Sequence, residues 1–189
     1  MVGLGGGVFM VPIFSAFLGV PIKTAIAASG LAVIVGSMGS ATVYLQHRMV
    51  NLRLALVLLI ATTLGAIGGA LLVATAPATI LRAAFALALY AMIVLMSLRR
   101  ASAQPVTTGP DRLGLRSSFY DPAVGGTVQY VPQLVGIGAL SSTVAGFMSG
   151  LLGIGGGVVQ VPLMNVLMRV PVKAAAATST YMIGVTVVG

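Results

Sequence analysis

The sequence predicts an all-α polytopic membrane protein made of two related halves. Three observations predict it. The chain is 58% apolar and only 6% charged, a balance no soluble domain of 189 residues would carry on its surface. Several uncharged stretches reach the roughly 20 residues that about 30 Å of hydrocarbon demands. Finally, a glycine-proline segment at residues 3–29 returns without a gap at residues 153–179, with 13 of 27 positions identical.

The repeat preserves the residues that an apolar composition would not match by chance. Gly3-Leu4-Gly5-Gly6-Gly7-Val8-Phe9-Met10-Val11-Pro12 pairs with Gly153-Ile154-Gly155-Gly156-Gly157-Val158-Val159-Gln160-Val161-Pro162. Further on, Val20-Pro21-Ile22-Lys23 pairs with Val170-Pro171-Val172-Lys173. Helix-breaking segments at corresponding places in two hydrophobic halves are the best sequence pointer to a transporter's binding site.

Taken in order, Val8–Leu18 is too short to span, since 11 residues rise only about 16 Å. It reads as a half-helix or re-entrant segment, turned by Gly19-Val20-Pro21. Spanning helices follow at 24–46, 54–76 and 78–98, the last carrying only Arg82, whose stem snorkels to the interface. Residues 1–98 form the first repeat, and 133–189, opening with the apolar helix 133–152, form the second. Between them, residues 99–132 make a polar linker with Gly109-Pro110 and Asp121-Pro122, read as a tether. Complete repeats also call for a helix before Gly3 and two after Gly189, so the chain reads as a fragment of a protein of about 250 residues or more.

Basic residues set the orientation. Arg48, Arg53, Arg99, Arg100, Arg112 and Arg116 fall on one side, and Lys23 and Arg82 on the other. The positive-inside rule makes the first side, with the 99–132 linker, cytoplasmic. A full return crossing by Val158–Met168 adds Arg169 and Lys173 to that side, eight against two; a dip in and out gives six against four. The larger bias favours the crossing, which makes the repeats inverted.

Composition also excludes chemistries. There is no cysteine, one histidine (His47) and two acids (Asp111 and Asp121), both acids in the linker. Neither a carboxylate pair nor a metal cluster can be built inside the membrane from these residues, and no cofactor motif is present. The chain therefore does not read as an enzyme. Its net charge of +8 belongs to helix ends rather than to a basic face with interleaved aromatics, so nucleic acid is not the partner. The glycine triplets are not nucleotide fingerprints either, because Val8 and Val158 stand where G-x-G-x-x-G needs its third glycine.

The candidate site is the pair of triplets, Gly5-Gly6-Gly7 and Gly155-Gly156-Gly157, with Pro12 and Pro162 five residues beyond each. Unwound backbone is tolerated in lipid only where it is buried or lines a cavity. There, bare N–H groups and the positive end of a following half-helix suit a small anion. The competing reading is close helix packing by small residues. Ser29, Thr178 and Ser179 lie in the helix after each Val-Pro-x-Lys turn, where their hydroxyls either serve the anion or bond back to their own helix. Lys23 and Lys173 read as interfacial anchors. The GxxxG spacings Gly65–Gly69 and Gly146–Gly150 read as helix packing.

The doubled G-[LI]-G-G-G-V-x-x-V-P motif, the V-P-x-K-x-A-x-A-x-S run and the small-residue helix Gly65-Ala66-Ile67-Gly68-Gly69-Ala70 resemble the TauE/SafE sulfite exporter family. The resemblance covers the chain apart from residues 99–132. It implies secondary transport, often export, of sulfite, sulfonates or other small anions across the cytoplasmic membrane. One departure is Ala28, which stands where the second copy has Thr178, so the first half-site is poorer in hydroxyls. A non-transporting membrane scaffold or assembly factor, with glycines used only for packing, is the rival expectation.

Overall fold

A computed structural model describes residues 7–47, 49–97, 114–121, 125–153 and 155–186. Long runs of Leu, Ala, Ile and Val wind into α2 (Ile22–Gln46), α3 (Leu52–Thr75) and α5 (Val135–Leu152), each long and apolar enough to cross a membrane. α4 (Ala78–Ser97) occupies the segment expected at 78–98. Two short helices follow the glycine motifs: α1 (Gly7–Pro12), which widens into a π-helical turn at Ile13–Phe17, and α6 (Gly157–Val166). α7 (Val172–Thr186) ends the described chain. The chain is thus a mainly helical membrane protein. Leu56, Ile60, Leu64 and Leu71 of α3 point outward, as lipid-facing residues do.

The turn after each short helix is built alike. Val20 N donates to Phe14 O and Val170 N to Met164 O, both at 3.0 Å. Ala25 N donates to Pro21 O, and Ala175 N to Pro171 O. Gly19 and Arg169, at matching positions, both take positive φ, +64° and +53°. Glycine does so freely, whereas Arg169 sits in a region that disfavours a side chain. Asn165 Nδ2 steadies that second turn by donating to Val170 O at 2.9 Å.

α3 and α5 form the tightest pair in the fold. A Cβ added at Gly65 or Gly69 would strike the backbone of Thr143 or Phe147, and one added at Gly146 or Gly150 would strike that of Thr62 or Ala66. The partners advance together along both helices, so α3 and α5 run parallel. This is the packing role expected of both GxxxG spacings.

Three hydrogen bonds fix which ends lie together. Gln133 N donates to Met168 O at 3.0 Å, bringing the end of α6 back to the start of α5. Asn51 N donates to Thr178 Oγ1 at 3.2 Å, placing early α7 beside the start of α3. Lys23 Nζ donates to Ala74 O at 3.1 Å, placing the start of α2 beside the end of α3. Arg169 and Lys173 therefore sit at the end of the molecule opposite Lys23.

Within the 99–132 segment, the described residues 114–121 and 125–132 carry an antiparallel hairpin that the sequence did not predict. β1 (Ser117–Asp121) pairs with β2 (Gly126–Tyr130), Ser117 opposite Tyr130. Its inner residues Leu115, Phe119, Val128 and Tyr130 are buried against α3, α6 and α7 with Leu54, Leu58, Met164, Met168 and Met182. A second apolar cluster (Val11, Ile22, Ile26, Ala76, Leu81, Phe85, Leu151 and Leu152) closes the other end. The small and polar residues of α3 and α5 lie between these two clusters.

Candidate functional site

The break between α5 and α6 is where glycine is indispensable. Gly153, Gly155 and Gly156 take φ of +63°, +76° and +66°, a region costing an L-residue about 1–2 kcal/mol each. Gly153 ends α5 as a left-handed cap, donating to Ser149 O at 2.8 Å. Gly156 opens α6. Gly157 is already helical, and its N–H is taken by Gly155 O at 2.8 Å. The left-handed set is therefore Gly153, Gly155 and Gly156, shifted from the Gly155–Gly157 triplet read in the sequence. Among the described residues, the N–H groups of Gly155 and Gly156 donate to no backbone carbonyl. Together with the N-terminus of α6 they form a patch of positive potential inside apolar surroundings.

Gly153 and Gly155 also serve packing. A Cβ at Gly153 would lie 2.5 Å from Ile26 O, and one at Gly155 would lie 2.5 Å from Val33 Cγ1 and 3.1 Å from Ile183 Cγ2. The break is thus wedged between α2 and α7. Gly156 instead faces Ser149, whose Cβ and Oγ would be 3.1 and 3.2 Å from an added Cβ.

Two cavities meet at this break. A groove of about 480 Å³ runs along α2, α3 and α5, lined by Ile26, Gly30, Ala66, Ala70, Leu71 and Ala74 among others, and reaches Ser149 and Gly155. Beyond it lies a cavity of about 10 Å³, room for one water-sized centre, lined by Thr62, Gly146, Ser149, Gly155, Gly156, Gln160 and Ile183. Ser149 and Gly155 line both spaces. α3 has 24 residues, so Thr62 lies close to its midpoint. The lining is neutral throughout.

The sequence-predicted residues divide. Gly5 and Gly6 lie outside the described residues, and Gly7 is the first residue of α1. Pro12 precedes the widened turn, and Pro162 is buried within α6. Ser29 is brought to the break: its Oγ donates to Gly153 O at 3.1 Å and to Ile26 O at 2.8 Å. Its proton is thereby committed to backbone carbonyls. Thr178 is not brought there; its hydroxyl accepts from Asn51 N. Ser179 bonds back to Ala176 O at 3.1 Å. Lys23 sits near the groove's end, on Ala74 O.

The residues that the sequence reading missed are Thr62, Ser142, Ser149 and Gln160. Thr62, Ser142 and Gln160 are each no more than 3% exposed. Gln160 left one legible signal: it is the lone amide between the second triplet and Pro162, where the first copy has Met10.

At the hairpin, Asn51 ties three elements together. Its Oδ1 accepts from Leu54 N at 3.1 Å and its Nδ2 donates to Leu115 O at 2.9 Å, while its N–H reaches Thr178. Arg53 Nη1 adds a bond to Gly114 O at 2.8 Å. Burial raises the Tyr130 hydroxyl above its usual pKa, and nearby Ser117 and Asn51 offset part of the rise.

Comparison with known proteins adds three findings. A match to the family described as "Sulfite exporter TauE/SafE" spans residues 1–189. The chain is 30% identical over 190 residues to the probable membrane transporter protein YunE of Bacillus subtilis, covering 97% of this chain and 68% of that protein. It is 26% identical over 193 residues to the probable membrane transporter protein MJ0441 of Methanocaldococcus jannaschii, covering 99% of this chain and 63% of that protein. The chain thus spans about two thirds of the length of these relatives. No solved structure matches it.

Proposed function

The chain belongs to the sulfite exporter TauE/SafE family, and from that premise we propose that it moves a small anion out across the cytoplasmic membrane. Sulfite, a sulfonate or a similar sulfur oxyanion is the substrate class. The observation that carries the reading is the neutral break at Gly153–Gly156, where two N–H groups and the start of α6 meet a cavity between two apolar clusters. An anion there is held by donors and dipoles rather than by a fixed counter-charge, so it is released as readily as it is bound. By the repeat, Gly5–Gly7 supply the matching half of the site. Pro12 and Pro162 lie within the short helical segments that follow each triplet, and Ser29 positions the break through Gly153 O.

Two features support inverted repeats with the hairpin in the cytoplasm. Lys23 and Lys173 hold matching positions in the two copies, yet Lys23 lies by the end of α3, whereas Thr178, early in the helix of Lys173, lies by its start. Arg53, Arg116, Arg169 and Lys173 gather at the hairpin end, the distribution expected for the cytoplasmic side. The Ala74 end of the groove then lies toward the outside, with Lys23 beside it. Outward movement of an anion needs no proton partner, since an inside-negative potential contributes about 2.3 kcal/mol per charge per 100 mV.

The test is flux from proteoliposomes of the full-length protein loaded with sulfite or methanesulfonate. An imposed inside-negative potential should accelerate efflux, and an inside-positive potential should slow it. Efflux no faster than from protein-free vesicles, with either anion and either potential, would refute anion export.

A further inference from the structure

Resting on the anion-transport reading, we propose that Gln160 is the residue that selects the substrate, through its side-chain amide. Gln160 is 3% exposed and lies one helical turn beyond Gly156, on the wall of the small cavity. Its Nε2 reaches only Ser142 Oγ and Met182 Sδ, each at 3.5 Å. The first distance lies beyond the usual range for N–H···O, and a thioether is a weak acceptor. A buried amide held so loosely is costly unless something else uses it. The same cavity is lined by Gly155 and Gly156, whose N–H groups donate to no backbone carbonyl among the described residues, and by Ser149, while the Thr62 hydroxyl on its wall donates to Leu59 O at 3.0 Å. An oxyanion is larger than the one water for which this cavity has room, so it would enter from the groove past Ser149 and Gly155 by displacing the Ser149 and Gln160 side chains. It would then accept from the Gln160 amide on one side and from the glycine N–H groups on the other.

Helix packing alone does not require an amide here. The first copy puts Met10, of similar length and wholly apolar, at the matching position. The glutamine makes one half of the site polar in its side chains and leaves the other to backbone groups. An amide presents both donors and an acceptor, so it separates anions by the number and placement of their oxygens, which charge alone would not.

The experiment compares wild type, Gln160→Met, Gln160→Asn and Gln160→Glu, full length in proteoliposomes, for sulfite and methanesulfonate flux. Gln160→Met should fold at least as stably as wild type, raise KM for sulfite tenfold or more with a smaller change in kcat, and alter the sulfite-to-methanesulfonate preference. Gln160→Glu, which puts a carboxylate against the anion, should reduce flux of both by more than tenfold. Gln160→Asn keeps the amide but shortens its reach. It should raise KM less than Gln160→Met does, and it decides the matter should Gln160→Met not fold: an unchanged KM in Gln160→Asn would then overturn the assignment. Wild-type KM and preference in folded Gln160→Met would overturn this inference alone. Wild-type vesicles that pass neither anion would overturn the transport reading, and this inference with it.

Discussion

Replacing Gly156 separates a site from mere packing. Its φ of +66° costs an alanine about 1–2 kcal/mol. The added Cβ would sit 3.1 Å from Ser149 Cβ, so that side chain must yield by a few tenths of an ångström. Both costs are small against the 5–15 kcal/mol of a typical fold, so Gly156→Ala should insert and remain folded. Valine adds two γ-methyls pointing into a cavity of about 10 Å³, which they would fill. Gly156→Val should therefore lose sulfite flux by tenfold or more, with Gly156→Ala intermediate. Gly146→Val is the control. Its Cβ would overlap the carbonyl of Thr62 on the neighbouring helix, where neither backbone can move aside. It should reduce the yield of folded protein, measured by size-exclusion profile, rather than leave a folded, silent transporter. Proteoliposome flux normalised to inserted protein checks both. Wild-type flux in Gly156→Val at normal expression would show that the cavity is not on the substrate's path.

Three further outcomes follow from the hairpin end. Thr178→Ala leaves the buried Asn51 N–H without its acceptor and should cost about 1–3 kcal/mol of stability, seen as a lowered Tm, while Thr178→Ser retains it. A cysteine replacing the exposed Ser118 should react with an impermeant maleimide only after cells are permeabilised; labelling of intact cells would reverse the orientation. The Tyr130 hydroxyl has its pKa raised above 10.0 in the folded state, so the unfolded chain loses that proton first as pH rises. Stability should fall above about pH 10, and Tyr130→Phe, which removes a buried hydroxyl lacking a partner among the described residues, should lessen that loss.

What the sequence determined by itself is local. Uninterrupted apolar length sets which segments become membrane helices, so α2, α3, α4 and α5 fall within a few residues of their expected bounds. Glycine and proline act on their own backbone, so the break after α5 and the turn at Gly19-Val20-Pro21 were legible before any contact was known. The tertiary structure decided which side chain meets which. These helices are apolar around their whole circumference, so no stripe in the sequence marks the inward face. That face depends on how closely α3 and α5 approach, which Gly65, Gly69, Gly146 and Gly150 govern jointly. The approach brings Gln160 and Thr62 to one cavity, and the return of α6 toward Gln133 carries Thr178 away from the glycines to Asn51. The hairpin's strands are five residues each, and its apolar side became recognisable only against the ends of α3, α6 and α7, because burial of Leu115, Phe119 and Tyr130 is a property of that assembly.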